Sequence, residues 1–164
     1  MRDDLLALYA YNRWADGRVV EVLRRLSPEQ YVQEPAPGWS SIRATVVHLA
    51  GANDVWARRL EGEVVTVRST ENDTPTLDDA VRYLAKGHDA FDRLLGTLTP
   101  ERLASRWSYR NFKGEETEVP VWAVYRHIVN HATYHRGQIA TKLHAQGLPV
   151  ASTDFIVYSR QLPL

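Results

Sequence analysis

The sequence predicts an all-α fold: a four-helix bundle with a short hairpin or long loop before the last helix. Three observations lead to this prediction. Apolar residues recur with helical spacing in four segments of the 164-residue chain. Stretches rich in Pro, Gly and polar residues separate these segments. Amphipathic helices must bury their apolar faces against one another, so we expect one bundle domain over residues 1–164 with inward-facing functional groups.

Apolar stripes indicate the first two helices. The first stripe includes Asn12 among its apolar residues and ends at SPEQ (27–30), which precedes the loop EPAPGWSS. The second helix begins near Ser40 or Ser41, since either residue can cap its N-terminus. It ends at Gly62.

The third and fourth helices have clearer start signals. Thr76 can cap the third helix, and Asp79 can complete a capping box with it. Residues 106–119, RWSYRNFKGEETEV, mix aromatic and charged side chains around a glycine, which favours a hairpin or long loop. Pro120 then begins the fourth helix at its first turn, where its missing N–H does no harm. This helix runs to about Gln146.

Composition narrows the possible functions. Apolar residues make up 44% of the chain and charged residues 24%, which is typical of folded soluble proteins. Twenty basic residues balance twenty acidic ones, so we expect neither nucleic acid nor a membrane as a partner. Cysteine is absent, which excludes disulfides, thiolate metal ligands and a protein thiol nucleophile. No signal peptide and no apolar run of about 20 residues is recognisable, so we expect a cytoplasmic protein.

The fourth helix carries histidines at intervals of four in the stretch HIVNHATYHRGQ, residues 127–138. At about 100° per residue, the centre of its apolar stripe lies near His135, with His131 about 75° and His127 about 115° away. His127 and His135 are separated by about 12 Å along the axis, too far for one ion to join all three imidazoles. The pair that can share a metal is therefore His131 with His135 or, as second choice, His127 with His131. A zinc peptidase is not expected, because Ala132 stands where its motif requires Glu.

A third ligand must come from another helix, and periodicity leaves its identity open. His88 lies about 55° from the centre of the third helix's stripe, and His48 about 100° from that of the second. By this measure His88 is preferred. His144 faces outward and is expected in solvent.

The whole chain resembles the DinB/YfiT-like family, a superfamily of metal-binding four-helix bundles. The resemblance rests on YNRWAD at 11–16, IRATVVHLAGANDVW at 42–56 and HIVNHATYHRGQ at 127–138, of which the last is the most specific. It implies that the metal ligands are His48, His131 and His135, which selects His48 over His88. A broad inward face on the second helix would reconcile this choice with periodicity.

The resemblance also implies a chemistry. Three imidazoles leave a coordination position open, as catalytic sites do, and suit Zn²⁺ first and Ni²⁺ second. Relatives in this superfamily include thiol S-transferases that use bacterial low-molecular-weight thiols. The resemblance therefore implies a metal-dependent, thiol S-transferase-like enzyme that activates a small thiol for transfer to an electrophile, with a homodimer as its assembly. A metal-dependent hydrolase using metal-bound water and a non-enzymatic, stress-associated metal-binding module are the alternatives.

Supporting residues are less constrained by the sequence. Gln138, one turn beyond His135, can hydrogen-bond an imidazole or a bound water. Arg136 is expected either in a surface salt bridge or on an anionic substrate. Asn12 lies on an apolar stripe and therefore needs a hydrogen-bond partner. We expect that partner to be on a neighbouring helix or, as second choice, to be part of the support of the metal site. We expect His127 to hold a loop or to support the metal site indirectly. The aromatic side chains expected in packing rather than in the site are Trp14, Trp39, Trp56 and Tyr125.

Overall fold

The computed structural model describes residues 2–35, 40–150 and 152–162. Over these ranges the chain forms four long helices, three short helices and one two-stranded antiparallel sheet. In chain order the elements are α1 (Arg2–Leu23), α2 (Pro28–Val32), α3 (Ile42–Leu60), α4 (Leu77–Gly96), α5 (Pro100–Ala104), β1 (Arg106–Arg110), β2 (Glu116–Pro120), α6 (Val121–Ala145) and α7 (Phe155–Ser159).

The four long helices, α1, α3, α4 and α6, make up the predicted bundle. Helix α3 packs against α4 and α6, and α1 packs against the same two helices from the other side. Their apolar faces bury two clusters, one around Phe91 and Ile128 and the other around Val46 and Ile139. The all-α prediction is confirmed.

Helix starts follow the predicted caps. The Ser41 side chain accepts a hydrogen bond from the Ala44 amide, so Ser41 rather than Ser40 caps α3. Both hydrogen bonds of the capping box between Thr76 and Asp79 are present at α4.

The first helix ends earlier than its stripe suggests. Helix α1 stops at Leu23, although the apolar stripe extends to Leu26. The SPEQ stretch does more than end that helix, because Ser27 caps the short helix α2 through a capping box with Gln30. A second helix start so close to the first helix forces the chain to turn there. The packing expected of Trp39 lies outside the described residues.

The stretch before the last helix forms the predicted hairpin. Strands β1 and β2 pair with Trp107 opposite Val119 and Arg110 opposite Glu116. The turn uses Gly114 at φ 81°, a conformation that L side chains adopt rarely. The Asn111 side chain accepts hydrogen bonds from the amides of Lys113 and Glu115 and so closes the turn.

The C-terminal segment packs on its own bundle. Phe155 and Tyr158 of α7 contact Tyr11, and Tyr158 also contacts Trp14. Ile156 stays 66% exposed. None of the helices in the described ranges combines the length and apolar character needed to cross a bilayer.

Candidate metal centre

Three imidazoles from two neighbouring helices converge at one point. His48 projects from α3, and His131 and His135 project from successive turns of α6. The Nε2 atom of His131 lies 3.2 Å from the Nε2 atoms of both His48 and His135. All three rings offer a nitrogen within 4.8 Å of the others.

The spacing of these nitrogens suits a tetrahedral cation. Ligand atoms placed tetrahedrally at about 2.0–2.1 Å from Zn²⁺ lie about 3.3 Å from one another. The 3.2 Å separations at His131 match that value closely. Three imidazoles then fill three of four positions and leave one for another molecule.

The protonation states of His48 and His131 also favour a cation. Burial, followed by the charges of His135 and Arg68, lowers the pKa of His48. Burial and then the neighbouring imidazoles, His135 first, lower the pKa of His131 to about 4. Both rings are therefore neutral at pH 7, which is the form that binds metal.

Gln138 orients one of the rings. Its side-chain oxygen lies 2.8 Å from Nδ1 of His135, as predicted for a residue one turn further along α6. A carboxamide oxygen only accepts, so Nδ1 of His135 carries the hydrogen and Nε2 keeps its lone pair for the cluster. Nδ1 of His131 is buried and has no partner among the described residues.

The histidine cluster opens into a cavity of about 320 Å³. Helix α3, the segment after it, the hairpin turn and α6 build its walls. The lining residues are Val47, His48, Gly51, Ala52, Val55, Trp56, Arg59, Arg68, Ser69, Tyr109, Asn111, Phe112, His127 and His131. An open site beside a cleft of this size is suited to a small molecule rather than to structural metal binding.

Two residues named from the sequence lie on the cavity wall. Trp56 packs against the core, as expected, and its ring also lines the cavity and contacts the rings of Tyr109 and His127. His127 also lines the cavity, with its ring centre 5.5 Å from that of His131. It lies outside the three-histidine cluster, and burial lowers its pKa. Trp14 and Tyr125 pack as expected, against Tyr158 and Phe91.

Two arginines of the cavity were missed by the sequence reasoning. Arg59 follows His48 by 11 residues on α3, which returns it to the same side of the helix within about 20°. That spacing is the signal that could have found it. Arg68 comes from the irregular segment after α3, where no periodicity exists to predict its direction.

The preference for His88 as third ligand is wrong in this structure. His88 is buried in the bundle, where Nδ1 hydrogen-bonds the Tyr9 hydroxyl at 3.0 Å and Nε2 lies 3.1 Å from Asp16 Oδ2. His88 projects from α4 toward α1, so it meets Tyr9 and Asp16 instead of the histidine pair. His144 is exposed, as predicted.

Arg136 has neither of its two expected environments. Its side chain is only 2% exposed and donates hydrogen bonds to Asn12 at 2.6 Å and Asp16 at 2.8 Å. It does not line the histidine cavity. Asn12 thus has the cross-helix partner that its apolar position requires. Arg136 therefore belongs to a buried ionic network that joins α1, α4 and α6 through Asp16.

The position of the cluster between two helices explains why helical periodicity favoured His88 over His48. The cluster lies in the groove between α3 and α6, and all three imidazoles remain partly exposed. The centre of α6's buried face is occupied instead by Ala132, Arg136 and Ile139. His48 can therefore lie far from the centre of its own stripe and still meet His131.

Three imidazoles that converge beside an open cavity place this chain in the class of helical bundles whose histidines could form a divalent-metal site. The family can be stated as well: the chain belongs to the DinB family, whose model matches residues 1–162. It is 27% identical over 163 residues to Protein DinB of Bacillus subtilis strain 168, covering 96% of this chain and 95% of that protein.

Solved structures share the fold. A DinB-like protein from Bacillus cereus superposes with a TM-score of 0.69 at 21% identity, covering 92% of this chain and 95% of that one. A conserved protein from Enterococcus faecalis gives 0.65 at 16% identity, with coverage of 85% and 95%. A DinB-like protein from Bacillus subtilis gives 0.63 at 15% identity, with coverage of 90% and 97%.

Proposed function

We propose that this protein is a metal-dependent enzyme that activates a small-molecule thiol for transfer to an electrophile. Its metal ligands would be His48, His131 and His135, and the ion Zn²⁺ or, as second choice, Ni²⁺. The observation that carries the proposal is the convergence of three imidazole Nε2 atoms at the wall of an open cavity.

The chemistry divides between the ion and the chain. A divalent cation held there would supply the positive charge that lets a thiol ionise near neutral pH. Gln138 keeps Nε2 of His135 free of hydrogen. His127 lines the same cavity and is neutral at pH 7 because burial lowers its pKa, so its imidazole can take up the thiol proton. Val47, Val55 and Trp56 give the cavity an apolar wall beside the reacting groups.

The composition is consistent with a thiol cosubstrate. The chain contains no cysteine, so a sulfur nucleophile has to arrive with a small molecule. No protein thiolate then competes for the ion or the electrophile.

The positions of the acidic residues argue against a hydrolase. Neither Asp nor Glu occurs among the residues that line the described cavity, so an acidic general base is missing there. Asp54 instead lies 3.5 Å from Arg58 and 4.0 Å from Lys86. Asp16 is engaged by Arg136 in the bundle core.

The test starts from protein purified without a histidine tag. We expect about one equivalent of transition metal by elemental analysis in the parent and none in His48→Ala. Cysteine, glutathione and 2-mercaptoethanol are then each supplied with 1-chloro-2,4-dinitrobenzene. Turnover that needs both thiol and metal, and that is lost in His48→Ala, would support the proposal.

Other outcomes separate the alternatives. Hydrolysis of 4-nitrophenyl acetate by the metal-loaded protein without thiol, with no thiol transfer, would favour the hydrolase. Bound metal without either activity would favour the non-enzymatic, stress-associated module. No metal even after reconstitution would overturn all three functions.

Assembly is proposed separately. We propose a homodimer, consistent with the exposed Ile156 on α7, and sedimentation velocity would test it. A cytoplasmic location and the lack of nucleic-acid or membrane partners stay predictions from composition.

A further inference from the structure

Two arginines face one aromatic ring inside the cavity. The guanidinium carbon of Arg59 lies 4.5 Å from the centre of the Phe112 ring, and that of Arg68 lies 4.2 Å from the same centre. All three residues line the cavity shared with His48 and His131. The hairpin turn therefore holds two positive charges beside the histidine cluster.

Within the described residues, these two charges have no acidic partner. Arg59 is only 4% exposed, yet neither it nor Arg68 forms an ion pair within the described part of the chain. Arg59 donates one hydrogen bond, from Nη2 to the Val65 carbonyl at 3.3 Å, and its buried Nε has no partner there. Burial lowers the pKa of Arg59, and the charge of Arg68 lowers it further.

Aromatic stacking satisfies only part of the binding capacity of Arg59. Arg59 also lies 5.3 Å from the Trp56 ring and 5.0 Å from the Tyr109 ring, so it joins the hairpin to α3. Aromatic contacts occupy the faces of a guanidinium, while its edges donate hydrogen bonds, which suit a carboxylate in bidentate fashion. A buried cation with an unsatisfied donor is costly unless an anion joins it.

We propose that Arg59 and Arg68 form a subsite for the carboxylate of an organic substrate with an apolar body. The inference rests on the proposed function for the position of the reacting atom, which lies at the histidine end of the same cavity. His48 and Arg59 share one side of α3 with their Cα atoms about 16 Å apart, and the arginine side chain leans back toward His48. Val55, Trp56 and Phe112 provide apolar contacts for the body of the molecule.

The probe pair is 3-phenylpropionate and its neutral amide, titrated by calorimetry into the full chain in metal-loaded and chelator-treated forms. We expect the carboxylate to bind about tenfold or more tightly than the amide in both forms, the range for hydrogen bonds to charged groups. The preference should disappear in Arg59→Met and weaken in Arg68→Met. It should persist in Arg58→Met, the matched control, because Arg58 pairs with Asp54 and Glu63 and does not line the cavity.

The outcomes distinguish this subsite from the metal chemistry. Equal binding of acid and amide by the parent protein in both forms would overturn it. So would a preference confined to the metal-loaded form and unchanged in Arg59→Met, since the carboxylate would then sit on the ion. Displacement of the probe by inorganic phosphate at lower concentration than by acetate would overturn the assignment to carboxylates. If Arg59→Met fails to fold by circular dichroism, the exposed Arg68→Met decides. Titration of the chelator-treated protein tests the carboxylate subsite whether or not the protein catalyses thiol transfer.

Discussion

His131 and His127 differ in position by a single helical turn, yet only His131 belongs to the converging cluster. We expect His131→Ala to lose the metal, because its Nε2 lies between the other two nitrogens. His127→Ala should keep about one equivalent. Elemental analysis after reconstitution with ZnCl₂ measures both variants, and the exposed His144→Ala serves as control. Equal metal loss in His127→Ala and His131→Ala would contradict the ligand assignment.

Gln138 tests how much ring orientation contributes. Removing its acceptor in Gln138→Leu should weaken metal affinity by roughly 10- to 100-fold, as loss of a hydrogen-bond partner to a ligating histidine does. Gln138→Glu keeps an accepting oxygen and should retain the affinity. Competition with a chromophoric chelator gives the two dissociation constants. Unchanged affinity in Gln138→Leu would show that the 2.8 Å contact with His135 does not support the site.

At the scale of elements, Asp16 ties α1 to α4 and α6. Asp16→Ala leaves Arg136 buried without its carboxylate, so we expect the free energy of unfolding to fall by about 3–5 kcal/mol. Asp89 of α4 is an exposed partner of Arg13 on α1. Asp89→Ala should therefore lower the free energy of unfolding by less than about 1 kcal/mol. Urea unfolding of both variants makes the comparison. Similar small losses would mean that the buried network contributes no more than a surface pair.

Helices α3 and α4 approach closely at Gly87. A Cβ atom added there would lie 2.7 Å from Cβ of Asn53, so Gly87→Ala should destabilise the protein by about 1–3 kcal/mol. Gly17 lies on the exposed side of α1, and no atom of the described residues beyond its own helix comes within 4 Å of its Cβ position. Gly17→Ala should therefore stabilise by about 0.5–1 kcal/mol through helix propensity alone. Thermal unfolding measures both variants. A Tm that does not fall in Gly87→Ala, or does not rise in Gly17→Ala, would contradict the corresponding prediction.

For the whole molecule, the proposed ion would join α3 to α6. Binding to the folded state alone raises stability by about 2.7 kcal/mol when free metal is 100 times its dissociation constant. For a chain of this size, that corresponds to a Tm roughly 5–10 °C higher than after chelation. His48→Ala provides the control, since its Tm should not respond to chelator. A parent Tm that ignores chelator would argue that no metal links the two helices.

Much of the fold follows from local sequence. The caps at Thr76 and Ser41 and the hairpin around Gly114 depend on residues close together in the chain. Their hydrogen bonds and backbone angles are settled within a few positions, so the sequence predicts them. Pro120 was expected in the first turn of the last helix, but it ends β2 and is the N-cap residue before Val121. The family resemblance, rather than periodicity, pointed to His48.

The sequence by itself determined four amphipathic helices and a histidine pair on one helix, because spacing along a helix sets which side chains neighbour each other. Only the tertiary structure decided that His48 meets that pair, that His88 and Arg136 meet Asp16, and that Arg59 and Arg68 face the cavity. Periodicity gives the direction of a side chain from its own helix axis. It contains no information about which neighbouring helix lies in that direction, and that depends on how the helices pack.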